Sequence, residues 1–199
     1  MEQRVMENIS QIELYPLEHY ARIRTDYRAR VMEHKKDRCL AIGPHLTLYF
    51  EDRLTIQYQI QEMLRVERIF EPEGIREELD AYNPLIPDGR NLKATMMIEY
   101  ADAQERARQL AAMVGIEHKI WLQVAGHDQV VPVADEDLER SEPGKTAAVH
   151  FLRFEFTQEM INALRGGAAL VAGVEHKVYR HVTGSVPENI RIALVGDFD

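Results

Sequence analysis

Residues 43–69, GPHLTLYFEDRLTIQYQIQEMLRVERI, are the stretch that decides the fold. The stretch begins with an alternation typical of a half-buried strand. One face of that strand carries Leu46, Leu48 and Phe50, and the other carries His45, Thr47, Tyr49 and Glu51. Asp52 is a suitable helix N-cap, and residues 53–69 continue with apolar positions at helical spacing. A strand followed directly by an amphipathic helix predicts a sheet that is covered by helices.

Two carboxylates of the predicted helix fall among its apolar positions. At about 100° per residue, Glu67 lies within an arc formed by Ile56, Ile60, Met63 and Leu64. Glu62 lies within a second arc, formed by Tyr58, Val66 and Ile69. A carboxylate on an apolar face must be paired, protonated or bound to a metal ion. We therefore expect Glu62 and Glu67 to mark either a functional site or structural ion pairs.

The remainder of the chain alternates irregularly between strand and helix patterns. Helices are expected at 26–36, 75–82, 102–113, 157–165 and 187–195, and strands at 39–42, 93–100, 118–125, 130–133, 147–156 and 168–174. Short, hairpin-like connections favour a mixed or antiparallel sheet. The sequence thus predicts a single α+β domain over 1–199, with a mainly helical half at 1–91 that contains a short strand pair and a sheet-rich half at 92–199.

Composition excludes several classes of function. The 33 acidic and 24 basic residues give a net charge of -9, which argues against non-specific nucleic-acid binding. A single cysteine, Cys39, excludes a disulfide framework within one chain. No apolar run approaches the length that spans a bilayer, and the first residues lack the apolar core of a signal peptide. We therefore expect a cytoplasmic protein that does not enter a membrane.

Common catalytic motifs are missing from the sequence. It has no phosphate-binding loop, dinucleotide fingerprint, Gly-x-Ser-x-Gly elbow or His-Glu-x-x-His motif. The remaining candidates are imidazoles and carboxylates on separate elements, which are the side chains that bind transition metals. His45, Glu62, Glu67 and His176 are accordingly predicted as ligands of an iron, manganese or zinc ion, or as acid/base groups.

Each candidate also has a structural alternative. Glu62 has Arg65 three residues later, which is the spacing of a helix ion pair, and Glu67 has arginines on both sides. In the structural alternative, His45 hydrogen-bonds a carbonyl at the strand turn, and His176 is an exposed residue at a strand end. Elsewhere, His150 shares a strand face with large apolar residues and is expected to be a satisfied core histidine. Glu117, Glu155 and the acidic stretch 135–142 are expected to be solvated.

One short internal echo is present. GIEHKIW at 115–121 and GVEHKVY at 173–179 both follow apolar residues. Two matches of seven residues are a weak indication of a repeat, and chance is the better explanation.

Longer segments resemble a known family. The block at 43–69, followed by AYNPLIP at 81–87 and LKATMMIEY at 92–100, resembles the bacterial domain-of-unknown-function family 3501, as does the chain from ISQIELYPLEHYARIR at 9–24 onwards. The resemblance implies an association, through gene context, with rubrerythrin-like and iron–sulfur oxidoreductase proteins. The family-like positions are His45, Gln61, Glu62, Arg65, Glu67, Tyr82 and Asn83. Near His176, Lys177 stands where the family is expected to have proline.

Two hypotheses about function follow. The first is an accessory or binding protein linked to redox or oxidative-stress physiology, which docks on a rubrerythrin-like or iron–sulfur oxidoreductase partner. The second is a metal-dependent redox or hydrolytic enzyme that uses Glu62, Glu67 and His45. Convergence of these side chains in one pocket would favour the second hypothesis.

Overall fold

The computed structural model describes residues 8–138, 140–141 and 144–198. Residues 1–7, part of the N-terminal segment in which the sequence predicts no signal peptide, and positions 139 and 142 of the acidic stretch lie outside this part of the chain. Its α-helices are α1 (Leu17–Lys36), α2 (Arg53–Val66), α3 (Pro72–Tyr82), α4 (Ala103–Ala112), α5 (Gln158–Arg165) and α6 (Glu188–Val195). Among the described residues, no helix has both the length and the apolar character needed to cross a membrane.

The strands form two antiparallel sheets. They are β1 (Cys39–Ala41), β2 (Leu46–Glu51), β3 (Asn91–Ile98), β4 (Ile120–Val124), β5 (Gln129–Val130), β6 (Val133–Ala134), β7 (Val149–Glu155), β8 (Leu170–His176) and β9 (Tyr179–Ser185). The first sheet has the order β1-β2-β3-β7-β6, and the second has the order β5-β4-β8-β9. The predicted α+β class with an antiparallel sheet packed by helices is confirmed. Strand β9 and the division into two sheets were not predicted.

The stretch at 43–69 forms the strand and helix expected of it. The Asp52 carboxylate accepts a hydrogen bond from the Thr55 backbone N–H at 2.9 Å, which caps the first turn of α2. The helix ends at Val66, three residues before the predicted end. Arg68 follows with a positive φ of 54°, so the backbone leaves the helical path there.

The largest apolar cluster lies between the two sheets. It combines Leu48 and Phe50 of β2 and Phe154 of β7 with Leu122 of β4 and Ala172 of β8, all at most 2 % exposed. Helices α4, α5 and α6 add apolar residues to the same cluster. The face of the first sheet that carries the apolar positions of β2 is therefore its inner face, as the alternation predicted.

The outer face of the first sheet looks towards α1, α2 and α3. These helices have apolar clusters of their own, one around Ile60 and Leu64, and one around Tyr20, Tyr27 and Tyr58. Because the helices pack largely on one another, they cover the outer face of the sheet only in part.

In the second sheet, the only tryptophan packs directly on a glycine. Trp121 lies opposite Gly173 in the β4–β8 pair, and a Cβ atom on Gly173 would lie 2.2 Å from the indole. Glycine is required here because no side chain fits under the ring.

The two echo segments differ in structure, since 115–121 passes through a 3-10 turn into β4 whereas 173–179 is strand followed by the turn to β9.

Candidate binding site

A cleft of about 450 Å³ lies between the outer face of the first sheet and the helices. The register places Tyr49 opposite Thr95, and Thr95 opposite Phe151, so these three side chains form one row across β2, β3 and β7. The cleft is lined by Met32, Lys35, Tyr49, Glu51, Ile56, Gln59, Tyr82, Leu85, Thr95, Met97, Val149 and Phe151. Its wall is thus mainly apolar and aromatic, with a few polar groups, as in many binding pockets.

A second cleft of about 370 Å³ adjoins the first. Both are lined by Leu85 and Phe151, so the two clefts are neighbours, and we call them together the sheet–helix groove. The second part is more charged, because it is lined by Asp80, Lys93, Glu136, Asp137 and Arg153. The groove is therefore apolar at one end and rich in charges of both signs at the other.

Among the described residues, Glu51 is the only acidic one that lines the first cleft. The Thr95 hydroxyl donates to one of its carboxylate oxygens at 2.7 Å, and the Thr55 hydroxyl donates to the other at 2.5 Å. The described residues provide no ion pair to Glu51. Because a carboxylate accepts about four hydrogen bonds, these two threonines position Glu51 and leave it with free acceptor capacity.

Two of the basic residues of the groove, Arg153 and Lys93, have protein partners for their charged groups. In the second cleft, Arg153 forms a two-pronged ion pair with Glu136, with both contacts at 2.7 Å. This contact lowers the pKa of the Glu136 carboxyl. The Lys93 amine donates to the Pro84 carbonyl, and burial lowers the pKa of that amine. Lys35 is half-buried at the rim of the first cleft and has no hydrogen-bond or ion-pair partner among the described residues.

A buried polar network holds the loop beside the second cleft. His150 is fully buried, with Nδ1 2.6 Å from an Asp135 carboxylate oxygen and Nε2 2.8 Å from the Thr146 hydroxyl. Asp135 also accepts a hydrogen bond from the Phe151 backbone N–H at 3.0 Å. The prediction that His150 is a satisfied core histidine is confirmed. The Arg140 guanidinium lies 4.4 Å from the centre of the Phe151 ring, so this loop reaches the groove.

The same network includes Glu117, which is only 4 % exposed. Ser141 donates to Glu117 at 2.8 Å, and the two hydroxyls of Ser141 and Thr146 are 3.0 Å apart. The prediction of a solvated Glu117 is wrong, because the turn before β4 folds this side chain inwards onto the loop. Asp135 departs in the same way from the solvated stretch predicted at 135–142, since its side chain is 8 % exposed.

Glu62 lies between α1 and α2 rather than in a cleft. Arg24 contacts both of its oxygens at 2.8 Å, and the Tyr20 hydroxyl donates to it at 2.7 Å. Arg65 adds the helix pair that the sequence offered, at 3.2 Å. The hydrogen bonds from Arg24 hold the pKa of the Glu62 carboxyl at about 2. This side chain therefore joins the two helices as an ion pair.

Glu67 does not occupy an apolar face. It is exposed and is the C-cap residue of α2, directly after the last helical residue, Val66. The prediction of a carboxylate within an apolar arc is wrong at this position. The cause is the early end of the helix, since Val66 beside it is 56 % exposed as well.

His45 lies at the end of the first sheet that faces β9. Its ring stacks on Tyr100, with 3.9 Å between ring centres, and its Nδ1 is 3.0 Å from the Glu99 carbonyl oxygen. Its backbone N–H donates to the Tyr179 hydroxyl at 3.0 Å, and that hydroxyl donates to the Ile42 carbonyl at 2.9 Å. The carbonyl-binding alternative therefore describes His45, and Tyr179 joins the two sheets.

His176 is buried, unlike the exposed strand end that the structural alternative assumed. Its Nε2 is 3.2 Å from the Val114 carbonyl oxygen, and the Val178 backbone N–H donates to its Nδ1 at 3.5 Å. Both ring nitrogens thus have protein partners.

The four predicted ligands do not face one another, since Glu62 pairs with arginines, His45 and His176 contact backbone carbonyls, and Glu67 is exposed. Among the described residues, no three histidine, cysteine or acidic side chains form a group that could hold a metal ion. The structure therefore does not join His45, Glu62, Glu67 and His176 into one centre. A role for iron, manganese or zinc stays a prediction, and elemental analysis of protein purified without chelators would test it.

The sheet–helix groove was missed although part of its signal is in the sequence. The alternation in β2 placed Tyr49 and Glu51 together on the face opposite the apolar residues. The facing residues Thr95 and Phe151 come from strands whose register no local pattern predicts. The sequence therefore indicated one wall of the groove, the polar face of β2, but not the groove itself.

Comparison with known proteins gives the family of the chain. The family described as Protein of unknown function (DUF3501) matches residues 8–198, so the chain belongs to that family. A solved structure of a protein of unknown function from Burkholderia pseudomallei is similar, with 47 % sequence identity and a TM-score of 0.93. The match covers 97 % of this chain and 100 % of the other. Curated proteins give no match.

Proposed function

We propose that this protein is a cytoplasmic accessory protein that binds a segment of a partner protein in the sheet–helix groove. The observation that carries the proposal is the adjacency of the two clefts, which share Leu85 and Phe151. A half-open groove with an apolar end and a charged end suits a chain segment that has apolar anchors followed by polar residues.

The fixed walls of the groove support a binding role. Three adjacent strands form its floor, and the Arg140–Phe151 contact joins that floor to a loop anchored by buried His150. A preformed groove binds a partner with little loss of conformational entropy. Binding of a partner segment requires no reacting group in the groove.

We further propose that the partner is a rubrerythrin-like or iron–sulfur oxidoreductase protein, which places the protein in redox or oxidative-stress physiology. The support for this part is the association that the family resemblance implies. The net charge of -9 adds a physical preference, since it favours partners with a basic docking surface.

Affinity capture from cells of the native host would test the proposal. The tagged protein is expected to retain a rubrerythrin-like or iron–sulfur oxidoreductase partner, identified by mass spectrometry. Gln59→Trp, which fills the first cleft from α2, should abolish this retention. The matched control is Ala107→Trp, which places the same side chain on the exposed surface of α4.

Two results would contradict the proposal. One is capture of neither class of partner by the unmodified protein. The other is equal capture by Gln59→Trp and Ala107→Trp, which would show that binding does not use the groove.

A further inference from the structure

We infer that the first cleft of the groove recognises a cationic side chain, arginine or lysine, set between apolar residues of the partner segment. This inference rests on the proposed function for the position of the binding site, and it adds the chemistry of the ligand. The feature that points to a cation is the Glu51 carboxylate, which lies in a mainly apolar and aromatic wall whose other charged residue is Lys35.

The hydrogen bonds of Glu51 indicate that it is prepared for a ligand. Thr55 and Thr95 donate one hydrogen bond to each of its oxygens and so fix the carboxylate, but they do not neutralise it. A charged group in a partly dry site is stabilised by a partner of opposite charge. Since the described residues contain no ion pair to Glu51, a ligand cation would supply the missing partner.

The aromatic residues around Glu51 favour the same ligand. Tyr49, Tyr82 and Phe151 line the cleft with it, and aromatic faces attract ammonium and guanidinium groups. Met32 and Met97 add flexible apolar surface that adapts to aliphatic side chains. A carboxylate among aromatic and thioether groups therefore fits a cation on an apolar stem, which describes the side chains of arginine and lysine.

Most of the other charged groups around the described part of the groove already have partners, and Lys35 and Asp80 are the exceptions. Helix α1 contributes Lys35 at the rim, α3 contributes Asp80 to the second cleft, and β3 contributes Lys93. The Lys93 amine is directed to the Pro84 carbonyl. The acidic groups Glu136 and Asp137 are paired with Arg153 and Arg140. Glu51 and Asp80 are left as the acceptors without a basic partner in the described part of the groove.

Titration with matched peptides would test the inference. The probes are a blocked tripeptide with arginine between leucine and phenylalanine, and the same tripeptide with neutral citrulline in place of arginine. NMR titration of the isotope-labelled protein should show shifts at Tyr49, Thr95 and Phe151, with binding at least ~10-fold weaker for the citrulline peptide. Glu51→Gln should reduce the affinity for the arginine peptide to the level of the citrulline peptide.

The matched control is Glu99→Gln. Glu99 also accepts a hydrogen bond from a threonine hydroxyl of the first sheet, that of Thr47 at 3.0 Å, but it lies outside the cleft. This variant should bind the arginine peptide as the unmodified protein does. The comparison of the arginine and citrulline peptides uses the unmodified protein. It therefore tests the role of the positive charge even if Glu51→Gln does not fold.

Four results would overturn the inference. Equal affinity for the arginine and citrulline peptides would remove the role of charge. NMR shifts confined to residues outside the first cleft would show that the peptide binds elsewhere. Binding of free agmatine as tight as that of the arginine peptide would identify a small amine rather than a partner segment as the ligand. Partner capture that Gln59→Trp abolishes but Glu51→Gln leaves intact would overturn this inference and retain the proposed function.

Discussion

The two sides of the first sheet are built from alternate residues of the same strands, but they are closed in different ways. On the inner side, Phe50 and Phe154 are at most 1 % exposed within a continuous apolar cluster. On the outer side, Tyr49 and Phe151 remain half-buried under helices that pack mainly on one another. The difference shows that alternation assigns a residue to a side of a sheet, whereas the opposing layer decides whether that side is sealed.

Two phenylalanines of β7 give the largest expected contrast between the sides. Phe154→Ala should lower the free energy of unfolding by about 3–5 kcal/mol, because it leaves a cavity in a closed core. Phe151→Ala should lower it by about 1 kcal/mol or less, because water reaches the groove. Urea denaturation of both variants would measure the two losses in free energy of unfolding. Similar losses would show that the outer side is sealed too.

The inner side also contains a polar element whose removal should be costly. His150→Leu should lower the free energy of unfolding by about 2–3 kcal/mol, because it leaves the Asp135 carboxylate and the Thr146 hydroxyl without their shared partner. His118→Leu is the control, since His118 is exposed and should change stability by about 0.5 kcal/mol or less. A His150 variant as stable as this control would mean that water replaces the imidazole.

The helical side depends on an ion pair that acid should break. The pKa of Glu62 is about 2 in the folded protein and 4.5 for the ordinary carboxyl, so its contribution is fully present above pH 4.5 and is lost as the pH falls towards 2. Relative to Glu62→Gln, the unmodified protein should lose about 1 kcal/mol more over that range, after allowance for screening by solvent. Thermal unfolding at several pH values would measure this. Parallel pH profiles would contradict it.

The smallest effect is expected for a hydrogen bond within the groove. Thr95→Val removes one donor to Glu51 but leaves the carboxylate accessible to water, so stability should fall by about 0.5 kcal/mol or less. The same variant should nevertheless weaken binding of the arginine peptide, because Glu51 loses part of its support. A large loss of stability would mean that the groove is drier than its half-buried lining indicates.

Local patterns in the sequence predicted most of the elements but not their partners. The alternation of β2, the Asp52 cap and the irregular succession of strand and helix patterns led to the strand, the helix and the α+β class. The end of α2 was misplaced, because the positive φ of Arg68 has no clear signal in a residue type that rarely adopts it. Glu67 was consequently assigned to a face that the helix does not extend to form.

The site depended on contacts between distant residues. The partner of Glu62 was expected within its own helix, but Arg24 of α1 provides the closer contacts. The burial of Glu117 depends on Ser141, which is 24 positions later in the chain. Such pairs follow from tertiary packing, and a single sequence contains no periodicity that specifies them.

The packing of Trp121 on Gly173 has a practical consequence for spectroscopy. Because this is the only tryptophan of the chain, indole fluorescence reports on one place, the face of the second sheet that points away from the core. Two sheets and the core between them separate that place from the groove. Emission from Trp121 should therefore follow global unfolding without disturbance by a bound ligand, while the tyrosines of the groove, Tyr49 and Tyr82, report binding.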